Sequence, residues 1–520
     1  MPKRQREAPV SPAGRTERET KLRKHSSPPK ETVQHHQADV LRHPSVSRAK
    51  EIDADPPLQQ LEGLLSQQRK ADDHPPRNVL HWFRSKDLRI EDNKGLHAAS
   101  AKAKEGKGHL ITAYLWSPKD LEWHGTSAAR SDFLLETLRL MQAKLEEMNV
   151  PLYIITAPER RDKSGAIMEF VKKWDVSHVF ANLEYEVDEL RRDIKIAKML
   201  QKEENGVTFH ASHDQTVVAP LRMTTGSGGP HKVFTPFHRA WLSLLKAEPA
   251  LLEVVPAPKG NEKGAKEELK ELFGSEVPQL PENKQFRDEE ERQRVRGLWP
   301  AGHDAGIARC EKFLKEKVRL YAEHRSTPAK DPSSRLSPYF SAGVISVREA
   351  LTIAKKANKG KNFDGSGDAG IAAWAREICF REFYRQVLAM QPHNSMNLPH
   401  NLKFQSVKYD EDYEKEKAWY EGKTGVPFVD AGMRQLNHEV CLSQPARQEK
   451  GAIGWLRCSC LTNSPLTGIH AQPCPHEHRL LPPHQPPHRL PQRGALLRRA
   501  PHRLGPWQQH ARLGAQLHRL

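Results

Sequence analysis

The chain of 520 residues carries 82 Lys and Arg against 65 Asp and Glu, and its formal charge of +17 is unevenly spread: +4 in residues 1–78, +4 in 79–439 and +9 in 440–520. The best-patterned part is only mildly basic, so charge by itself does not argue for nucleic acid. Six irregularly spaced cysteines suit a reducing compartment, no run of about eighteen apolar residues exists to span a membrane, and no apolar stretch follows the basic start as a secretory signal would require.

Residues 1–78, rich in Arg, Lys, Pro, Ser and His, read as a disordered basic extension, in which PKRQR and KLRKHSSPPK have the texture of a nuclear-import signal. At NVLHWFRSKDLRIEDN (78–93) the pattern changes. A short apolar run from Val79 to Phe83 opens an alternation of strands (HLITAYLW, PLYIITA, HVFANLEY, VTFHASH) and amphipathic helices (GLHAASAKAK, ARSDFLLETLRLMQAKLEEM, GAIMEFVKKWD, VDELRRDIKIAKMLQKE). Strands separated by such helices predict a parallel α/β domain over 79–211. No G-x-G-x-x-G follows the first strand, which disfavours a dinucleotide site.

Residues 212–300, with TTGSGGP and APKGNEKG, predict an interdomain connection, and 301–439 predict an all-α domain. GKTG at 422–425 is not a phosphate loop, because Lys417 stands where the first glycine belongs. From Val440 onward there is no Asp and one Lys, and His, Pro, Arg, Leu, Gln and Ala dominate. That tail predicts no packed structure. Its histidines lack ligand spacing, and Cys458 and Cys460 form C-x-C without a matching pair, so no specific metal site is expected.

Within WAREICFREFYRQ (374–386), Trp374, Glu377 and Arg381 stand at i, i+3 and i+7 and share one helix face, with Phe380 and Tyr384 beside them. Taken alone, the stripe reads as core aromatics with a solvated Glu377–Arg381 pair. Its neighbours change that reading. Upstream, LYAEHRSTPAKDPSSRLSPYFSAGVIS (320–346) clusters hydroxyls and an arginine ahead of a helix, a place suited to a phosphate. Downstream lies EGKTGVPFVDAGMRQLNHE.

These segments, with WFRSKDLRIEDN and KVFTPFHRAW, resemble the photolyase/cryptochrome family over about 79 to 439, and specifically its cyclobutane-dimer DNA photolyases. The resemblance implies an α/β antenna domain joined to an all-α FAD-binding domain. Tyr321 would contact the flavin, and Ser333, Ser334, Arg335, Leu336 and Ser337 would hold its phosphates. Trp374, Glu377 and Arg381 would line the cavity between flavin and lesion. Arg325 would grip the DNA backbone, Glu377 would hydrogen-bond the damaged bases, and Phe380 replaces a second lesion-facing tryptophan. The implied reaction is light-driven electron transfer that splits a flipped-out dimer in ultraviolet-damaged DNA, by a monomer in the nucleus or mitochondrion. The rival class is a cryptochrome-like blue-light receptor that repairs nothing. His124, Asp188 and Glu189 fall where some relatives hold a folate (methenyltetrahydrofolate) antenna; a solvated loop histidine and helix-start carboxylates are the other reading.

After Glu439 the expected segments, including two relay tryptophans, are replaced by the tail, so the helical domain reads as incomplete. Codons for Ser443 to Arg447, moved by one base, can spell His-Asn-Arg-Leu. A frameshift or missed splice is therefore expected over a divergent natural tail.

Overall fold

A computed structural model describes residues 45–439, apart from 71, 73, 74, 204, 205, 326, 328, 329 and 407–411. Five strands, β1 (Asn78–Phe83), β2 (Leu110–Trp116), β3 (Leu152–Thr156), β4 (Val176–Asn182) and β5 (Thr208–Ser212), form one parallel sheet in the order β3-β2-β1-β4-β5. The α/β alternation is as expected. Alternate residues of β1 serve opposite faces: Val79 and Phe83 join one apolar cluster, Leu80 and Trp82 the other. The first cluster runs on through Trp241 and Phe313 to Trp374, so both layers share a core.

After β5 the described residues hold helices and no further strand, in agreement with the expected helical domain. The connection at 212–300 is more structured than its composition suggests. It carries the helices Phe234–Ala247 and Glu289–Leu298, and it belts the sheet. Asn261 exchanges hydrogen bonds with the Leu110 backbone at 2.9 and 2.8 Å, and Ser275 Oγ accepts from Ile154 N at 2.9 Å. Those contacts satisfy strand groups that a free linker would leave open.

Part of the stretch expected to be disordered, residues 1–78, is helical. Val46–Ala54 and Pro57–Lys70 are helices, and Leu58, Leu61 and Leu65 of the second are buried against Leu190, Ile194 and Phe209. The i, i+3, i+7 leucines form a narrow stripe in an otherwise polar sequence, and the stripe is helical because the sheet layer offers it a partner. Gln68 then donates to Ala197 O at 2.8 Å and accepts from Phe209 N at 3.3 Å. The basic clusters before residue 45 and the tail after 439 lie outside the described residues.

The WFRSKDLRIEDN segment clasps the two layers. Arg348 of the Val347–Ala357 helix bonds Asp92 at 3.0 Å and Asp214 at 2.6 Å; Arg89 pairs with Asp214 and donates to Gly343 O at 3.0 Å. All four charged groups are buried. At Gly343 φ is +65°, and a Cβ there would lie 1.8 Å from Lys86 O, so glycine is required on both counts.

Candidate functional site

The Ala369–Met390 helix begins at Asp368, whose carboxylate accepts from Gly370 N at 2.8 Å and Ile371 N at 3.1 Å. A Cβ at Gly370 would stand 1.7 Å from Val318 O, so the helix start docks directly on the 318–320 turn. This contact fixes the registry of the stripe. Trp374, 3% exposed, packs against Phe313 with ring centres 5.6 Å apart, and Phe313 meets Tyr321 edge-on at 5.6 Å. One turn further, Glu377 accepts a hydrogen bond from Arg325. Burial raises the Glu377 carboxyl above its usual range although Arg325 and Arg376 pull it down, and burial with Glu377 raises the Tyr321 hydroxyl. Tyr321, Arg325, Trp374 and Glu377, all expected at the site, are thus brought together.

Arg381 joins this face to the Ser337–Ala342 helix by donating to Phe340 O at 3.4 Å, and it also donates to Gln215 O. Burial and the neighbouring Arg385 depress its guanidinium to about 9. In the expected phosphate segment, Arg335 has φ +52° and its N–H donates to Ser333 Oγ at 3.1 Å. Its side chain is held by Asp331 and Glu439, each at 3.2 Å. Leu336 is buried and Ser334 half-buried. Ser337 Oγ is buried with no hydrogen-bond partner among the described residues, as is Tyr384 Oη. These two orphaned hydroxyls, one in the expected phosphate segment and one on the long helix, are the kind of group a polar cofactor would satisfy.

Phe380 departs from its expected place against a lesion. Its ring is 5% exposed and stacks on Phe234 at 3.4 Å, with the planes 9° apart. The apolar face a base would need is already covered by the connection. GKTG at 422–425 shows why it is no phosphate loop: Asp430 accepts from Thr424 N at 2.7 Å and Gly425 N at 3.0 Å, so a carboxylate takes the donors.

His124, Asp188 and Glu189 gather near the carboxyl ends of β2 and β4. His124 Nε2 lies 3.6 Å from Asp120 and 3.7 Å from Asp188. Arg160 binds Asp120 at 2.7 Å and Asp188 at 3.1 Å, Lys163 lies 3.1 Å from Asp120, and Arg192 pairs with Glu189. Burial lowers the His124 imidazole, with Asp188 and Asp120 opposing.

One residue that sequence reasoning missed is Glu382. It is buried on the inner side of the long helix and accepts from Val217 N at 2.5 Å, Val218 N at 3.4 Å and Trp241 Nε1 at 2.8 Å. The available signal was a carboxylate among the apolar positions Cys379, Phe383 and Val387.

A 3-2-1-4-5 parallel sheet clasped to a helical layer, whose long helix presents Trp, Glu and Arg beside an aromatic wall, defines a two-layer protein with a parallel α/β half and an all-helical half. Residues 79–259 match the DNA photolyase family and residues 374–450 the FAD binding domain of DNA photolyase, the latter running past Glu439, where the resemblance was expected to end. A deoxyribodipyrimidine photo-lyase of Neurospora crassa is 40% identical over 360 residues, covering 69% of this chain and 58% of the relative. One from Vibrio cholerae is 31% identical over 364 residues, covering 69% of this chain and 71% of that one. In structure, the chain is similar to a bacterial class III photolyase from Agrobacterium tumefaciens (TM-score 0.58, 24% identity, 77% of this chain and 78% of that one). It is also similar to a Synechocystis cryptochrome (TM-score 0.55, 21% identity, 73% and 75%). The chain belongs to the DNA photolyase family. It spans 58% of the length of its Neurospora relative.

Proposed function

We propose that the chain acts in light-dependent repair of ultraviolet-damaged DNA as a deoxyribodipyrimidine photo-lyase with FAD as cofactor, the reading its family and its curated relatives support. The observation that carries this reading is the Arg325–Glu377 pair set at the rim of the Tyr321–Phe313–Trp374 wall. FAD, when bound, supplies the photoexcited electron. Tyr321, Trp374 and Arg381 would hold the ring system, and Ser333 to Ser337 the phosphates, the unpaired Ser337 hydroxyl gaining a partner. Trp374 and Phe313 keep water from the cavity, where a developing charge needs fixed partners.

Arg325 is exposed and Glu377 mostly buried, so the pair can divide its labour. A DNA phosphate drawing Arg325 outward would release the Glu377 carboxyl toward the bases. Removing Arg325's charge raises the carboxyl further, which favours the protonated form that donates to a base oxygen as negative charge develops there.

The test is full-length protein loaded with FAD and ultraviolet-irradiated plasmid. Transformability should return under blue light and not in darkness, and Glu377→Ala should lower quantum yield by about tenfold or more while lesion affinity changes less. Equal recovery in light and dark overturns the reading, and photochemistry without repair would favour the cryptochrome-like receptor.

The same proposal places a folate antenna at His124, Asp188 and Glu189, checked by a near-ultraviolet absorbance band that His124→Ala removes. It places the protein in the nucleus as a monomer, supported by the basic clusters before residue 45 and checked by imaging a fluorescent fusion and by sedimentation.

A further inference from the structure

A second group of chemistry-bearing side chains lies away from the flavin and antenna residues, toward the amino ends of β4 and β5. His178 pairs in register with Thr208, and Phe180 with His210, so the two imidazoles project from one face of the sheet. Their rings stack at 5.6 Å, and His210 stacks on Phe180 at 4.3 Å. Asp72 reaches them from the segment that joins the Pro57–Lys70 helix to β1. One ligand atom from each of Asp72, His178 and His210 lies within 4.8 Å of the other two.

The distances are informative. His178 Nε2 stands 3.2 Å from Asp72 Oδ1 and His210 Nε2 3.8 Å from Asp72 Oδ2. Bonds of about 2.0–2.2 Å to a tetrahedral zinc ion place its ligand atoms about 3.3–3.6 Å apart, so each imidazole lies within a few tenths of an ångström of that spacing from one oxygen of the carboxylate. His210 Nε2 is buried with no hydrogen-bond partner among the described residues, so it has a lone pair or a proton to spend. His178 Nδ1 lies 2.8 Å from Ser177 Oγ, a partner of the kind that orients a metal-bound imidazole through its other nitrogen. Burial lowers both imidazoles, His210 to about 4, which keeps them neutral and able to coordinate near pH 7. Arg69 and Lys102 are the cations whose charge reaches His210, and Lys102 is engaged by Glu105 at 3.0 Å. At the other three-residue group, Asp120, His124 and Glu189, Arg160, Lys163 and Arg192 already neutralise the carboxylates.

We propose that Asp72, His178 and His210 bind a zinc ion, with water completing the tetrahedron, and that this ion staples the N-terminal helical strap to the sheet. Two imidazoles and one carboxylate are a donor set that suits zinc over magnesium or calcium. Of the three ligands only Asp72 comes from the strap side, and the other two stand on strands that the rest of the chain holds in place. Zinc therefore binds the docked strap and not the released one, and its affinity appears as docking stability.

The experiment uses full-length protein stripped with chelator, then titrated with Co2+ and back-titrated with Zn2+, for the wild type, Asp72→Asn and His210→Phe. The phenyl ring of the second variant keeps the stack on Phe180. The wild type should show one equivalent of Co2+ with the intense visible bands of a tetrahedral site, displaced by Zn2+ and absent in both variants. Histidines of residues 440–520 would bind weakly and equally in all three, without those bands. Zinc at a hundredfold excess over Kd should also slow proteolysis between residues 71 and 77 by about a hundredfold in the wild type only. Identical titrations in wild type and both variants, or cleavage indifferent to zinc, would show that the trio is a hydrogen-bonded His–Asp pair with a bystander histidine, and would overturn the proposal.

Discussion

Glu377 and Glu382 lie on one helix, yet their surroundings give them different parts. Glu377 pairs with Arg325 beside the Tyr321–Phe313–Trp374 wall, whereas Glu382 is enclosed by N–H donors from the connection. Burial pushes the Glu382 carboxyl up to about 7, with those donors opposing. A folded state that holds the proton more tightly than the unfolded chain has its full contribution below about pH 4.5 and loses it as pH rises through about 7. Melting temperature should therefore fall between about pH 5 and 8, and Glu382→Gln should remove part of that fall. The amide also turns an NH2 toward an N–H donor, so at neutral pH the variant should lose about 1–3 kcal/mol in urea denaturation. Phe380 poses a simpler question of volume. Restoring an indole there with Phe380→Trp should cost about 1–3 kcal/mol, because Phe234 already occupies the space. An unchanged urea midpoint would show that the stack yields easily and that the ring can turn toward a ligand.

Between elements, the buried quartet of Arg89, Asp92, Asp214 and Arg348 joins the sheet layer to the helical layer. Each charge is tolerable only because its partners are present. Arg348→Met should leave Asp92 without its counter-ion and Asp214 with Arg89 alone, and destabilise the protein by about 3–5 kcal/mol. Chemical denaturation read by tryptophan fluorescence is the measurement, and a loss under about 1 kcal/mol would mean that water replaces the guanidinium. The same elements show how far pattern reading reaches. All five strands were legible, since continuous apolar runs between amphipathic helices have few other uses. The Pro57–Lys70 strap was not, because four leucines among glutamines and charges, three of them fully buried, are too weak a stripe to predict a helix without the surface that receives it.

For the molecule as a whole, stability is unevenly distributed. The sheet is covered on both faces, but the Pro427–Glu439 helix leaves Phe428 76% exposed and buries only Asp430 and Met433. Its end is pinned through Trp299 Nε1 to Glu439 O at 2.8 Å and through Arg335 to the Glu439 carboxylate. An uncovered apolar face with few buried contacts opens early. Limited proteolysis should cut within 400–439 before it touches 78–212, and Phe428→Ser should reduce light scattering on warming while leaving the unfolding midpoint within about 0.5 kcal/mol. First cleavage within the sheet layer would reverse this order.

The sequence by itself determined the family, the layer architecture and the shared helix face of Trp374, Glu377 and Arg381, because periodicity and ordered motifs are local and that spacing can be counted on a helix. Tertiary structure alone decided which residues the motif residues meet. WFRSKDLRIEDN carried the resemblance and is a clasp; Phe380, expected against a lesion, is buried against Phe234; Asp72 is far in sequence from His178 and His210 and close to them in space. Each of these depends on contacts between segments more than a hundred residues apart, and side-chain pairing at that separation leaves no periodicity in the chain to read.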